Sequence, residues 1–134
     1  MRLIIRKKVL RSNSKTIYKK NILDHYRNPK HNEKVEEPDL SGVASNLSCG
    51  DTLKVEIKLS EQRISKIGFE GRGCAISIAS ASMLTDKLVE MHIDEVKDLS
   101  SDYVLDLVGL DKNSVRVKCA LLILEAIKAA IAQL

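Results

Sequence analysis

From residue 16 onward the chain alternates between two hydrophobic periods. Ile17, Ile22 and Leu23, followed by His25 and Tyr26, predict a short helix from Thr16 that ends at Asn28-Pro29, because proline pushes the residue before it out of the helical region. From Lys30 to Leu47 the sequence is polar, with Pro38 and Gly42, and reads as an extended connector that starts a strand near Val43. Leu53, Val55, Ile57 and Leu59 then alternate with Lys54, Glu56 and Lys58, the period of two expected of an antiparallel strand with one buried face. Ser60, Glu61 and Gln62 supply a turn, and Ile64, Ile67 and Phe69 bring the chain back, so a hairpin is expected from Asp51 to Glu70. After Gly71-Arg72-Gly73, apolar and small residues from Ala75 to Leu88 recur at helical spacing as far as Met91. Asp94 to Leu99 and Ser101 to Val108 predict two short helices, the second capped by Ser101 or Asp102. Leu121, Leu124, Ile127 and Ile131, with Ala126, Ala129 and Ala130 between them, form a long C-terminal helix whose small residues permit close approach to a sheet. The order predicts an α+β fold, with a small antiparallel β-sheet of about three strands, over alternating parallel βαβ units.

A chain of 134 residues fits one domain, and such a length buries roughly 70% of its unfolded surface. No apolar run approaches the ~20 residues that cross a bilayer; the stretch from Ala120 to Leu134 is broken by Glu125 and Lys128. The net charge of +4 is unevenly placed. Arg2, Arg6, Lys7, Lys8, Arg11, Lys15, Lys19 and Lys20 precede any acidic residue, and without those eight the 22 basic residues fall to 14 against 18 acidic. A nucleic-acid binder spreads Lys and Arg over a folded face, often with stacking aromatics. Here the excess sits on one arm and aromatics make up 3%, which argues against nucleic acid as a partner. The arm from Met1 to Thr16 shares its basic, mildly amphipathic character with organelle transit peptides, although a disordered extension ahead of a domain spanning residues 17–134 is the preferred reading.

Three widely spaced cysteines, Cys49, Cys74 and Cys119, do not make a disulfide framework. They imply a reducing compartment in which thiols either pack as small hydrophobes or bind metal and sulfur. Each lies at an element boundary. Cys49 and Asp51 are two apart, and on an extended backbone such residues project to the same side. Cys74 follows a Gly-Arg-Gly bend and opens a helix, where unpaired N–H groups and the helix dipole favour a thiolate. Cys119 falls near the first turn of the last helix, behind Arg116 and Lys118, two cations expected to assist its deprotonation. Three thiolates and one carboxylate suit tetrahedral zinc or an iron-sulfur cluster with one weaker oxygen ligand. Spacing alone leaves both this shared site and three unrelated thiols open. His25 reads as a packing or capping residue, His31 and His92 as solvated, and Met83 and Met91 as core or helix-end packing.

Several motifs in order resemble the IscU, SufU and NifU N-terminal family of iron-sulfur cluster assembly scaffolds. They are Tyr18 with Asp24-His25-Tyr26-Arg27-Asn28-Pro29, Cys49-Gly50-Asp51, Gly71-Arg72-Gly73-Cys74-Ala75-Ile76-Ser77 with Ala79-Ser80-Ala81-Ser82, and Val115-Arg116-Val117-Lys118-Cys119. The similarity covers nearly everything from Tyr18 onward. It implies helices packed on one face of the sheet and a ligand set of Cys49, Asp51, Cys74 and Cys119. It also implies a scaffold rather than an enzyme, one that takes sulfur from a cysteine desulfurase and iron from an iron donor. Such a scaffold holds a transient [2Fe-2S] cluster and passes it to apo iron-sulfur acceptor proteins. By the same resemblance Cys119 accepts the persulfide, Asp51 tunes lability, Cys49 and Cys74 anchor the metal, and Tyr18 would mediate a homodimer. The setting implied is cytoplasmic, or an organelle matrix if the arm is a targeting segment.

Two departures matter. Lys118 stands where IscU members have histidine, as in SufU, so a zinc-dependent sulfurtransferase relaying persulfide is the alternative. The Leu-Pro-Pro-Val-Lys chaperone-docking stretch of IscU corresponds to Lys112-Asn113-Ser114-Val115-Arg116, without either proline. The spacing from Cys74 to Cys119 nevertheless lacks the SufU-type insertion, which makes the chain intermediate between subtypes.

Overall fold

The computed structural model describes residues 14–134, with side chains from residue 19 onward. The basic arm, apart from its last residues, and the expectation for the Tyr18 side chain fall outside the described residues. The first helix, α1 (Ser14–Arg27), ends as expected, with Asn28 N–H bonded to the Asp24 carbonyl just ahead of Pro29. Three strands follow: β1 (Leu40–Asn46), β2 (Asp51–Ser60) and β3 (Arg63–Arg72), forming an antiparallel sheet in the order β1-β2-β3. The polar connector therefore becomes a strand at Leu40, earlier than the expected start near Val43. Inward-facing Leu40 and Gly42 alternate with Ser41 and Val43, a pattern that two small residues and a glycine concealed in the sequence.

The β2–β3 hairpin turns through Glu61 and Gln62, whose φ angles of 50° and 68° match the paired left-handed residues of a two-residue turn. β3 continues to Arg72 rather than ending at Glu70, because Gly71 packs against Thr52 and Leu53 where a Cβ would not fit. Four helices complete the fold: α2 (Ala75–Leu88), α3 (Ile93–Lys97), α4 (Ser101–Val108) and α5 (Val117–Ile131). α2 stops three residues before the expected Met91. The cap of α4 is Ser100, not Ser101 or Asp102; its hydroxyl accepts the Tyr103 N–H at 3.1 Å.

The core lies between the sheet and the helices on one of its faces. Leu53, Val55 and Ile57 from β2 and Ile64 and Phe69 from β3 meet Leu84 and Leu88 from α2 and Leu122, Ile123 and Ile127 from α5, all fully or almost fully buried. Burying each such aliphatic side chain contributes about 1.5–3 kcal/mol. Gly42 lets α5 approach β1 closely, since a Cβ there would overlap the Ala126 carbonyl oxygen and lie 2.6 Å from Ala130 N. This contact places the start of α5 at the same end of the sheet as the β1–β2 turn.

α2 is less apolar than its spacing suggested. Ser77, Ser80, Ser82 and Thr85 are fully buried on it, and every buried side-chain polar atom among the described residues has a partner. Each serine hydroxyl ties the helix to a different element. Ser77 reaches Asp51 on β2, Ser80 reaches the Ala120 carbonyl on α5 at 2.6 Å, and Ser82 reaches His25 on α1 at 2.7 Å.

Candidate metal and sulfur site

The four residues singled out in the sequence sit on three separate pieces of structure. Cys49 lies in the β1–β2 turn, where the Asn46 carbonyl accepts N–H groups from Cys49 at 3.3 Å and Gly50 at 2.9 Å. Gly50 takes a φ of 74°, with open space where a side chain would be, so glycine is there for backbone conformation rather than room. Cys49 and Asp51 were expected to project together from an extended backbone, and that reason is wrong. The turn bends Cys49 back toward Asp51, the first residue of β2. Cys49 is exposed, whereas Asp51 retains 6% of its surface.

Cys74 is the N-cap of α2, with extended dihedrals and no side-chain cap. Its N–H donates to Asp51 Oδ2 at 3.3 Å, and Ser77 Oγ donates to the same oxygen at 2.8 Å. The Cys74 thiol lies 3.5 Å from Ser77 Oγ. Cys119 is the third residue of α5 and is buried, held in place by the Ser80 bond to its neighbour Ala120.

The structure brings one ligand atom each from Cys49, Asp51 and Cys119 within 4.8 Å of one another. Cys74 stands beside that trio and is not part of it: its backbone N–H is bonded to Asp51 and its Sγ lies 3.5 Å from Ser77 Oγ. All three cysteines are free. The four residues gather at one end of the sheet, where β2, α2 and α5 begin; the grooves beside His31–Val35 and along α4 are lined by other residues.

The three ionisable groups respond differently to this crowding. Burial pushes the Asp51 carboxyl up, but bonds from Ser77, the Cys74 N–H and the Cys49 and Cys74 thiols outweigh it and hold the group below the usual carboxylate range. Burial likewise raises Cys74, yet hydrogen bonds from Ser77, from its own helix start and from Cys119 bring it below an ordinary thiol. Cys119 goes the other way: burial, followed by the Cys74 and Cys49 thiols, pushes it up to about 11. The expectation that Arg116 and Lys118 would assist its deprotonation is therefore not met. Both are exposed and do not offset the desolvation and neighbouring sulfur that dominate.

Ser77 and Ser80 were missed as part of the site. The available signal was their spacing, three and six residues after Cys74, which puts both on the first two turns of the same helix. Of the histidines, His25 does serve packing, through Ser82. His31 is not simply solvated: its Nε2 pairs with Asp86 Oδ1 at 3.1 Å. Nor is His92, which caps α3 in a reciprocal box with Glu95. The methionines behave as expected, Met83 in the core and Met91 packed against it.

Known proteins are similar to this chain in sequence and in fold. The chain is 34% identical over 116 residues to the iron-sulfur cluster assembly scaffold protein IscU 1 of Archaeoglobus fulgidus, covering 86% of this chain and 74% of that one. It is 32% identical over 139 residues to the zinc-dependent sulfurtransferase SufU of Bacillus subtilis, covering 91% and 94%. The N-terminal part of a NifU-like protein from Brucella abortus has the same fold, with a TM-score of 0.71 at 22% identity over 87% of this chain and 93% of that one. Among described helices none is long and apolar enough to cross a membrane. A match to the NifU-like N terminal domain family running over residues 17–134 makes this chain a member of that family.

Proposed function

We propose that this chain is a scaffold on which iron-sulfur clusters are assembled: it accepts sulfur from a cysteine desulfurase together with iron, holds a transient [2Fe-2S] cluster and transfers it to apo-proteins. The observation that carries this reading is the approach of the Cys49, Asp51 and Cys119 ligand atoms to within 4.8 Å, with Cys74 alongside. Three thiols and one carboxylate supply four ligands of the right softness for iron and sulfur, and the single oxygen donor makes one position easier to vacate. Membership of a family whose relatives include IscU scaffolds supports it. In this reading Cys49, Asp51, Cys74 and Cys119 grip the cargo, and Cys119 receives the persulfide. Its work belongs to a reducing compartment, the cytoplasm.

The second reading is a zinc-dependent sulfur relay. The donor set also fits tetrahedral zinc, Lys118 replaces the histidine of IscU members, and the Bacillus relative carries that name. Zinc bound there would hold the thiols deprotonated and ordered. Anaerobic reconstitution with iron, cysteine and a desulfurase separates the two. Visible cluster absorption followed by transfer to an apo-ferredoxin is the expected result. Tight zinc, stimulation of the desulfurase and no cluster would replace the scaffold by the relay.

A further inference from the structure

The two edges of the sheet are finished differently. Along β3, Phe69 N–H donates to the His31 carbonyl at 2.9 Å, Ile64 N–H to that of Met91 at 3.0 Å, and Glu90 N–H back to the Ile64 carbonyl at 2.8 Å. Arg63, Lys66 and Glu70 add charge to that strand. Covered and charged edges resist pairing with another chain. β1 has neither device over most of its length: its seven residues include no charged side chain and no proline.

One rung of β1 is occupied. The Gln133 side chain donates from Nε2 to the Ser41 carbonyl at 2.7 Å and accepts the Ser41 N–H at 3.5 Å. The Ser41 backbone groups therefore face away from β2, and the alternation of an antiparallel ladder turns those of Val43 and Ser45 outward too. Among the described residues nothing pairs with them on that side. Exposed aliphatic side chains collect at this edge. Val43 is 56% exposed, Leu47 in the following turn 94%, and Leu134, adjacent to Gln133, 60%.

We propose that β1 is the surface through which two copies of this chain pair edge to edge, antiparallel, about a two-fold axis at Ala44. The register follows from the free rungs. Setting Val43 against the partner's Ser45, and Ser45 against the partner's Val43, gives two hydrogen-bonded pairs that each exchange two backbone bonds. It uses the two open rungs of each strand and leaves Gln133 on Ser41. The same register carries Leu47 to the level of the partner's Ser41, beside the partner's Leu134 and diagonal to the partner's Val43, within reach for apolar contact. A strand without charge brings no repulsion into pairing with itself, and the contact is isologous and closed. Both Cys49 turns lie beyond the paired rungs. A contact of this extent belongs with transient interfaces.

Sedimentation equilibrium of the reduced, metal-free full chain tests this, over concentrations from about 10 μM to about 1 mM, the range of weak association. A reversible rise toward twice the monomer mass is expected. Ser45→Pro removes an outward-facing donor while leaving the ladder to β2 intact, and Val43→Lys installs an edge lysine without touching the backbone. Each should weaken association about tenfold or more, with an unchanged circular dichroism spectrum. If Ser45→Pro misfolds, Val43→Lys alone decides. A monomer at every concentration, or a dimer indifferent to the folded variants, overturns the proposal.

Discussion

Gly42→Ala should damage the protein out of proportion to one methyl group. The added Cβ would overlap the Ala126 carbonyl oxygen and lie 2.6 Å from Ala130 N and 3.1 Å from Ala130 Cα. These are backbone atoms of α5, which no rotamer change can move, so the helix itself must lift from β1. Overpacking of this kind costs about 1–3 kcal/mol, and a rigid neighbour puts the cost at the upper end. Against it stands about 0.4–1 kcal/mol from a less flexible unfolded chain. The net loss is about 2 kcal/mol, which for a chain this size lowers Tm by roughly 4–10 °C. α5 also carries Cys119 and β2 carries Asp51, so the shift should separate ligand atoms that now lie within 4.8 Å. Thermal melts of the metal-free protein, paired with cobalt or zinc titration, read both effects. Gly50→Ala is the comparison, because at φ 74° it has open space and costs only the left-handed conformation, about 1 kcal/mol. A Gly42→Ala protein melting at or above the parent's Tm, with metal affinity intact, would refute the claim that this contact sets the helix.

Other consequences can be measured separately. Asp51→Ala removes the one hard ligand and should lengthen the life of a reconstituted cluster several-fold, followed by decay of its visible absorption; equal lifetimes and equal metal affinity would count against Asp51 as a ligand. With iodoacetamide at pH 8, mass spectrometry should find exposed Cys49 modified first. Cys119, 6% exposed and pushed up to about 11, should be last, its rate still climbing above pH 9; early labelling of Cys119 would contradict the assigned burial. Burial, and then the Lys30 charge, lower the His25 pKa against the opposing pull of Asp86 and Asp24. The unfolded chain therefore binds the extra proton more readily. The stability this neutral histidine contributes is complete above its ordinary value of 6.5 and is lost as pH falls below it. Tm should drop on acidification from about pH 7 to pH 5, and His25→Gln should flatten that part of the profile.

The strands and helices with regular periods were legible in the chain. Leu53 to Leu59 alternate without interruption, and β2 lies there, with Leu53, Val55 and Ile57 buried inward and Leu59 partly buried after a register shift. β1 was only half legible because its inward positions include Gly42 and Ala44, which carry little hydrophobic signal. Gly42 is selected by the approach of α5, a fact about a residue more than eighty positions away. The serines of α2 show the same limit. Small and evenly spaced, they read as part of an apolar face, yet each hydroxyl bonds to an element that the local sequence does not mention.

By itself the sequence determined the residue types of the site and their places at element boundaries, because helix starts, turns and glycine bends are local events governed by a few neighbouring residues. Tertiary structure alone decided that Cys49, Asp51 and Cys119 meet, and that Cys74 and Cys119 are pushed in opposite directions. Cys74 and Cys119 both open helices, but Cys74 gains the Ser77 bond whereas Cys119 is buried against two other sulfurs. Proton affinity depends on the surrounding dielectric and on the charges and dipoles within a few ångströms. Those neighbours are supplied by the packing of β2, α2 and α5, not by adjacency in the chain.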